Sequence, residues 1–187
     1  MYVLWTLDVQ ELSTTASTSI NGVGAISILG GIYVEEKQKK QPAKRIQLVD
    51  VVLERKGSQL FSGRRVRSPE DAVNIIRDFI GDSDRERFVV LGMSTKNEPQ
   101  VLQVVHTGSI NASIVHPRDV MKALILANCA CCVVGHNHPS NDVTPSPEDI
   151  DVTERLVEAG KILGIDVLDH VILSSNTFLS LKEKGYM

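Results

Sequence analysis

His136 and His138 stand two positions apart. Seven residues then lead to Ser146, and two more separate Ser146 from Asp149. Side chains at i and i+2 of a strand point to the same side, so both imidazoles can reach one ion. Ser146-Pro147-Glu148-Asp149 reads as a capped helix start, which returns the Asp149 carboxylate to the mouth of that strand. Two imidazole nitrogens and one carboxylate oxygen suit Zn2+ and leave the fourth tetrahedral position for water, as hydrolytic zinc requires. The plainer readings stand beside this. Ser-Pro-Glu-Asp also occurs at 68–71 with no histidines before it, so the tetrapeptide alone indicates only a helix start. Each histidine taken singly reads as a hydrogen-bonded core or surface residue. For a general base, Glu86, Glu98 and Glu148 compete, and spacing does not choose among them.

These side chains need a strand, a loop and a helix to hold them. Residues 131–134 are apolar and predict a central strand ending at Gly135-His136-Asn137-His138-Pro139, with a polar, proline-containing loop to Pro145. A helix follows, with Ile150, Leu156, Val157 and Ile162 available for packing and Gly164 as its stop. Upstream, residues 46–53 predict a strand. Ser68-Pro69 opens a helix carrying Ala72, Ile75, Ile76 and Phe79 as far as Gly81. Residues 88–91 and 101–105 predict a hairpin with its turn at 96–99, and Pro117 opens a helix with Val120, Met121, Leu124 and Ile125 on one face. Residues 165–168 and 170–173 supply further strand material. Strands alternating with helices predict an α/β sheet covered on both faces.

The chain has 187 residues, 42% hydrophobic and 23% charged, which fits one folded domain with a short extra segment and excludes collagen-like or wholly disordered chains. The net charge of -3 excludes an overall cationic field for nucleic acid or anionic membranes, so any such contact must be local. No long apolar run and no secretory signal pattern is present, which predicts no membrane partner and a cytoplasmic location. Cys129, Cys131 and Cys132 have no distant partner and read as reduced, buried thiols rather than a zinc cluster, for which a lone C-x-C-C lacks a fourth ligand. Residues 1–45 read as a separate N-terminal segment, either poorly ordered or a small helical remnant. Within it lie a polar tract at 13–19, a weak Gly22-Val23-Gly24 turn before an apolar run that can begin a small helix, and a charged linker at 35–45. The main domain is expected over 46–187.

His136-Asn137-His138-Pro139-Ser140 followed by Pro145-Ser146-Pro147-Glu148-Asp149 resembles the metal-binding block of the JAB/MPN (JAMM) metalloprotease superfamily, and within it the RadC-like proteins. The resemblance extends over 46–187 through Asp84-Arg85-Glu86-Arg87-Phe88, residues 108–113, His116-Pro117-Arg118, Glu158-Ala159-Gly160 and Leu168-Asp169-His170. It implies a JAB/MPN mixed sheet covered by helices, in a cytidine-deaminase-like layered architecture. It also implies zinc on His136, His138 and Asp149, Glu86 as general base and then acid, and Ser146 assisting the oxyanion or the water beyond its capping role. Two features depart from the family pattern: Asn141 stands where glycine is usual, and the three cysteines stand where alanines are usual. Of the helix-hairpin-helix segment of longer RadC proteins, Ile20–Ala25 is at most a remnant.

The reading that follows is a zinc-dependent hydrolase of JAMM type cleaving a peptide or isopeptide bond in a protein or peptide substrate. The alternative is a DNA-repair-associated protein acting on or binding DNA, supported by Lys37, Lys39, Lys40, Lys44 and Arg45 and by Arg64, Arg65 and Arg67, though charge runs also serve as solvated segments. A noncatalytic scaffold is a third reading, but no ligand is missing. His170, His106 and His116 read as structural.

Overall fold

The computed structural model of the chain describes residues 26–29, 32–35, 44–81, 83–108 and 115–187. The expectations for 13–19, Ile20–Ala25 and most of the charged linker, like the family-like segment 109–113, lie outside the described residues. Two compact units are present, Met1–Val49 and Asp50–Met187. In the first, the apolar run after Gly24 forms no small helix. It forms strands β1 (Ile26–Leu29) and β2 (Ile32–Glu35), paired antiparallel with Ile26 opposite Glu35 and Leu29 opposite Ile32. β-Branched residues flanking Gly30-Gly31 are the composition of a short hairpin, and that outweighs the helix reading. The strand expected at 46–53 is also absent. The segment has strand composition but, among the described residues, no strand pairs with it, and Ile46 and Leu48 are exposed. Propensity without a pairing partner does not make a strand.

The second unit holds a mixed five-stranded sheet of order β4-β3-β5-β6-β7. Its strands are β3 (Arg87–Met93), β4 (Pro99–Thr107), β5 (Cys131–Asn137), β6 (Asp166–Leu173) and β7 (Phe178–Ser180). The expected β3–β4 hairpin is present. The two segments expected at 165–168 and 170–173 are one continuous strand, β6, parallel to β5, while the remaining pairs are antiparallel. Helix α1 (Pro69–Ile80) covers one face, packing Ala72, Ile76 and Ile80 against Val89, Leu91, Cys131, Val133 and Val171. Helices α2 (Pro117–Leu126) and α3 (Pro147–Leu163) cover the other, with Val120, Leu124, Val152 and Leu156 against Phe88, Val90, Cys132 and Val134. Alternate residues of β3 and β5 thus enter opposite cores, as a period of two requires. The cysteines divide the same way, Cys131 on the α1 side and Cys129 and Cys132 on the other, so they cannot converge on one ion. Burial raises the Cys132 thiol to about 12 and Cys129 to about 11, keeping both protonated.

Helix α3 packs Leu156 inward as expected but departs at its C-terminal end. Ile162 is exposed, and the stripe turned inward is Asp149, Val152, Thr153, Leu156 and Gly160, polar at its N-terminal end. At Gly160 a Cβ would lie 2.4 Å from the Ile165 carbonyl oxygen, where the chain doubles back into β6. Helix propensity alone favours Gly160→Ala by about 1 kcal/mol, but displacing a backbone carbonyl costs about 1–3 kcal/mol. We therefore expect Gly160→Ala to lower the urea midpoint; an increase would show that the close approach relaxes freely.

Candidate metal centre

The buried, β-branched run of β5 carries His136 to the C-terminal end of the sheet's middle strand, with Phe88 of β3 and Ile172 of β6 as its neighbours in register. The strand ends at Asn137, within the stretch expected, and the His138 amide extends the pairing by donating to the Leu173 carbonyl at 2.8 Å. His136 is fully buried, stacked on Phe88 at 6.0 Å between ring centroids, while His138 reaches the surface. Burial drives the His136 imidazole down to about 3, with the neighbouring His138 adding to the effect, so the ring is neutral at physiological pH.

Asp149 arrives from the opposite direction through a capping box. Its backbone N–H donates to the Ser146 hydroxyl oxygen, and its Oδ2 accepts from the Ser146 N–H at 2.8 Å and from the Ser146 hydroxyl at 2.7 Å. The carboxylate is held in a buried position with Oδ1 3.3 Å from His136 Nε2 and Oδ2 3.8 Å from His138 Nε2. The two Nε2 atoms are 2.9 Å apart, and all the potential ligand atoms lie within 4.8 Å of one another. Tetrahedral zinc with bonds of about 2.0–2.1 Å spaces its ligand atoms roughly 3.3 Å apart, a value these separations bracket. The donor set therefore fits the ion. At the first Ser-Pro-Glu-Asp copy, Asp71 instead accepts from the Arg67 N–H at 2.8 Å, so the cap is shared and the histidines distinguish the second copy.

The loop between strand and helix is pinned at both ends. Asn141 adopts φ 63°, the left-handed backbone that glycine adopts most readily. Its Oδ1 accepts from the Ser175 N–H and hydroxyl, so asparagine both tolerates the conformation and anchors it. His138 Nδ1 faces the Asp142 carbonyl oxygen, which can only accept. The ring therefore donates from Nδ1 and directs its Nε2 lone pair at the other two ligands.

Glu86 stands directly before β3 and lines a cavity of about 350 Å³ together with His138, Ser140, Asp142, Ser146 and Asp149. Its backbone is fixed from three sides. Asn137, the residue between the two histidines, accepts from the Arg87 N–H at 2.9 Å and donates to the Arg85 carbonyl at 3.0 Å, while the Glu86 carbonyl accepts from Gly108 N–H at 2.9 Å. The strand carrying the histidines thus anchors the backbone on both sides of Glu86 as well. Glu148 lines the same cavity, whereas Glu98 lies at the far end of β3 and pairs with Arg65 at 3.7 Å. His116 is the N-cap residue of α2 and makes no side-chain cap, and His106 lies on β4. Neither joins the cluster. His170 does, through His136 Nδ1 at 2.8 Å, a contact that sequence spacing gave no reason to expect.

Residues 66–186 match a family model described as the RadC-like JAB domain. The chain is 48% identical over 120 residues to a UPF0758 protein of Desulforamulus reducens, covering 64% of this chain and 53% of the relative. It is 46% identical over 174 residues to a UPF0758 protein of Geobacillus sp. strain WCH70, covering 91% and 69%. A UPF0758 protein of Methanosarcina mazei is 45% identical over 124 residues, covering 66% of this chain and 54% of that one. The chain spans about half the length of the Desulforamulus and Methanosarcina relatives.

Proposed function

Because the chain belongs to the RadC-like JAB domain family, we propose that it is a zinc-dependent hydrolase of JAMM type that cleaves a peptide or isopeptide bond. The observation that carries the reading is the convergence of two imidazoles and one buried carboxylate beside a cavity that Glu86 also lines. His136, His138 and Asp149 would hold the ion. Bound zinc supplies a Lewis acid that polarises a carbonyl and makes water acidic enough to attack near neutral pH. The Glu86 carboxylate accepts the proton that the attacking water loses and delivers it to the leaving nitrogen. Ser146 donates its hydroxyl proton to Asp149 at rest and turns it toward the developing oxyanion during the reaction. Phe88 closes the inner side of the site against solvent.

The lining of the cavity favours an amide over a phosphodiester. Among the described residues it carries Glu86, Asp142, Glu148 and Asp149 and no lysine or arginine, so a nucleic-acid backbone would meet like charge. Among the described residues no helix is long and apolar enough to cross a membrane, and the buried free thiols suit a reducing cytoplasm. The test is incubation of the zinc-loaded full chain with a panel of peptide- and isopeptide-linked substrates and with single- and double-stranded oligonucleotides. We expect amide cleavage that stops on chelation and returns with zinc. Cleavage confined to the oligonucleotides would replace this reading with the DNA-directed one.

A further inference from the structure

We propose that His170 and Thr153 are positioning residues that fix the tautomer of His136 through a hydrogen-bond chain running from one ligand of the metal centre to the backbone of another. The proposal rests on the metal-binding reading above for its purpose, but its geometry is independent of any ion. His136 Nδ1 lies 2.8 Å from His170 Nε2, His170 Nδ1 lies 2.5 Å from Thr153 Oγ1, and Thr153 Oγ1 lies 2.5 Å from the Asp149 carbonyl oxygen one helical turn earlier.

The far end sets the direction of the whole chain. A carbonyl oxygen has no proton, so the single hydroxyl proton of Thr153 is donated to Asp149. Toward His170 the threonine oxygen can then only accept, which puts the His170 proton on Nδ1 and a lone pair on Nε2. That lone pair accepts from His136 Nδ1, leaving His136 Nε2 unprotonated and facing Asp149 Oδ1. The reverse direction would set a proton on His136 Nε2, in the midst of the ligand atoms. His138 reaches the same state by a separate route, through the Asp142 carbonyl.

Backbone features deliver His170 to this place. β6 pairs Val167 with Cys132 but Asp169 with Val133, so Leu168 is an extra residue on β6. Without that bulge His170 would lie opposite Gly135 and face the α1 core; with it His170 lies opposite Val134, on the side occupied by His136 and Thr153. The buried Asp169 carboxylate holds the bulge, accepting from the His170 and Lys182 N–H groups and the Ser180 hydroxyl. Both imidazoles are fully buried, and Phe88 packs edge-on to His170 at 5.4 Å, so water does not compete for their nitrogens. A histidine kept only to fill the core would be replaceable by an apolar ring without consequence for the ion.

The test has two arms. In the metal-free wild-type chain, nitrogen-15 NMR of the histidine rings should find His136 protonated at Nδ1; a proton on Nε2 overturns the proposal. In competition titrations with zinc, His170→Phe and Thr153→Val should each weaken binding by about 10–100-fold. His170→Gln, whose amide can accept and donate at the same two points, and Thr153→Ser should recover most of the loss. If His170→Phe does not fold, Thr153→Val carries this arm. Wild-type zinc affinity in the folded variants overturns the proposal. A wild-type chain that binds no zinc instead contradicts the metal-binding reading, and the tautomer of the metal-free protein then decides the hydrogen-bond chain alone.

Discussion

Glu86→Gln should keep the chain's zinc while lowering hydrolytic turnover by about 10²–10⁴-fold. Glutamine preserves the size of the side chain and can still form hydrogen bonds in the cavity, but it cannot accept the proton from the attacking water. Asn137 and Gly108 anchor the backbone on either side of it, and the substitution keeps both contacts. Two controls separate this role from general acidity. Glu148→Gln removes a carboxylate from the same cavity and should change turnover only a few-fold. Glu98→Gln acts at the other end of a seven-residue strand, about 20 Å away at 3.3 Å per residue, and should change nothing. Steady-state rates alongside metal content by atomic absorption decide the matter. Near-wild-type turnover in Glu86→Gln, or a larger loss in Glu148→Gln, would transfer the base to another residue.

His136→Ala combined with His138→Ala should abolish tight zinc binding. Sharing the roughly 12 kcal/mol of a four-ligand zinc site among its ligands gives about 3 kcal/mol each, so losing two weakens binding by on the order of 10⁴-fold. The effect is readable without any substrate. Zinc at a hundred times its Kd stabilises the folded wild type by about 2.7 kcal/mol, and the double variant should show no zinc-dependent shift in unfolding at the same concentration. Alanine at 136 also leaves His170 Nε2 without its partner, so the variant starts from a lower stability. The comparison must therefore be each protein with and without zinc. A zinc-dependent shift of wild-type size in the double variant would place the ion elsewhere.

The cluster that could hold a metal is legible because its signal is local: a strand end, a capped helix start, and residue types suited to that chemistry. The helices were legible for a similar reason, since Ser68-Pro69, Ser146-Pro147, Gly81 and Gly164 mark ends by backbone chemistry that tertiary contacts rarely override. What sequence reasoning missed depends on neighbours distant in the chain. Residues 46–53 have strand composition, but pairing is a property of two segments, and no partner strand lies among the described residues. Apolar spacing offers Ile162 for packing, whereas the inward stripe of α3 begins with Asp149 and Thr153, which face a polar site. His170 read as structural because its place beside His136 depends on one extra residue in β6, which moves it from one face of the sheet to the other. Asn137, between two conspicuous histidines, carries no spacing signal of its own, and its role emerges only when β3 is laid beside β5. Glu86 came from family resemblance alone.

The most direct measurement is X-ray absorption at the zinc edge on the wild-type chain after equilibrium dialysis against zinc. The account predicts one zinc per chain, bound by two imidazole nitrogens and by oxygen, with no sulfur at the 2.3 Å expected of a thiolate. A stoichiometry near zero, or a shell containing cysteine sulfur, would contradict it.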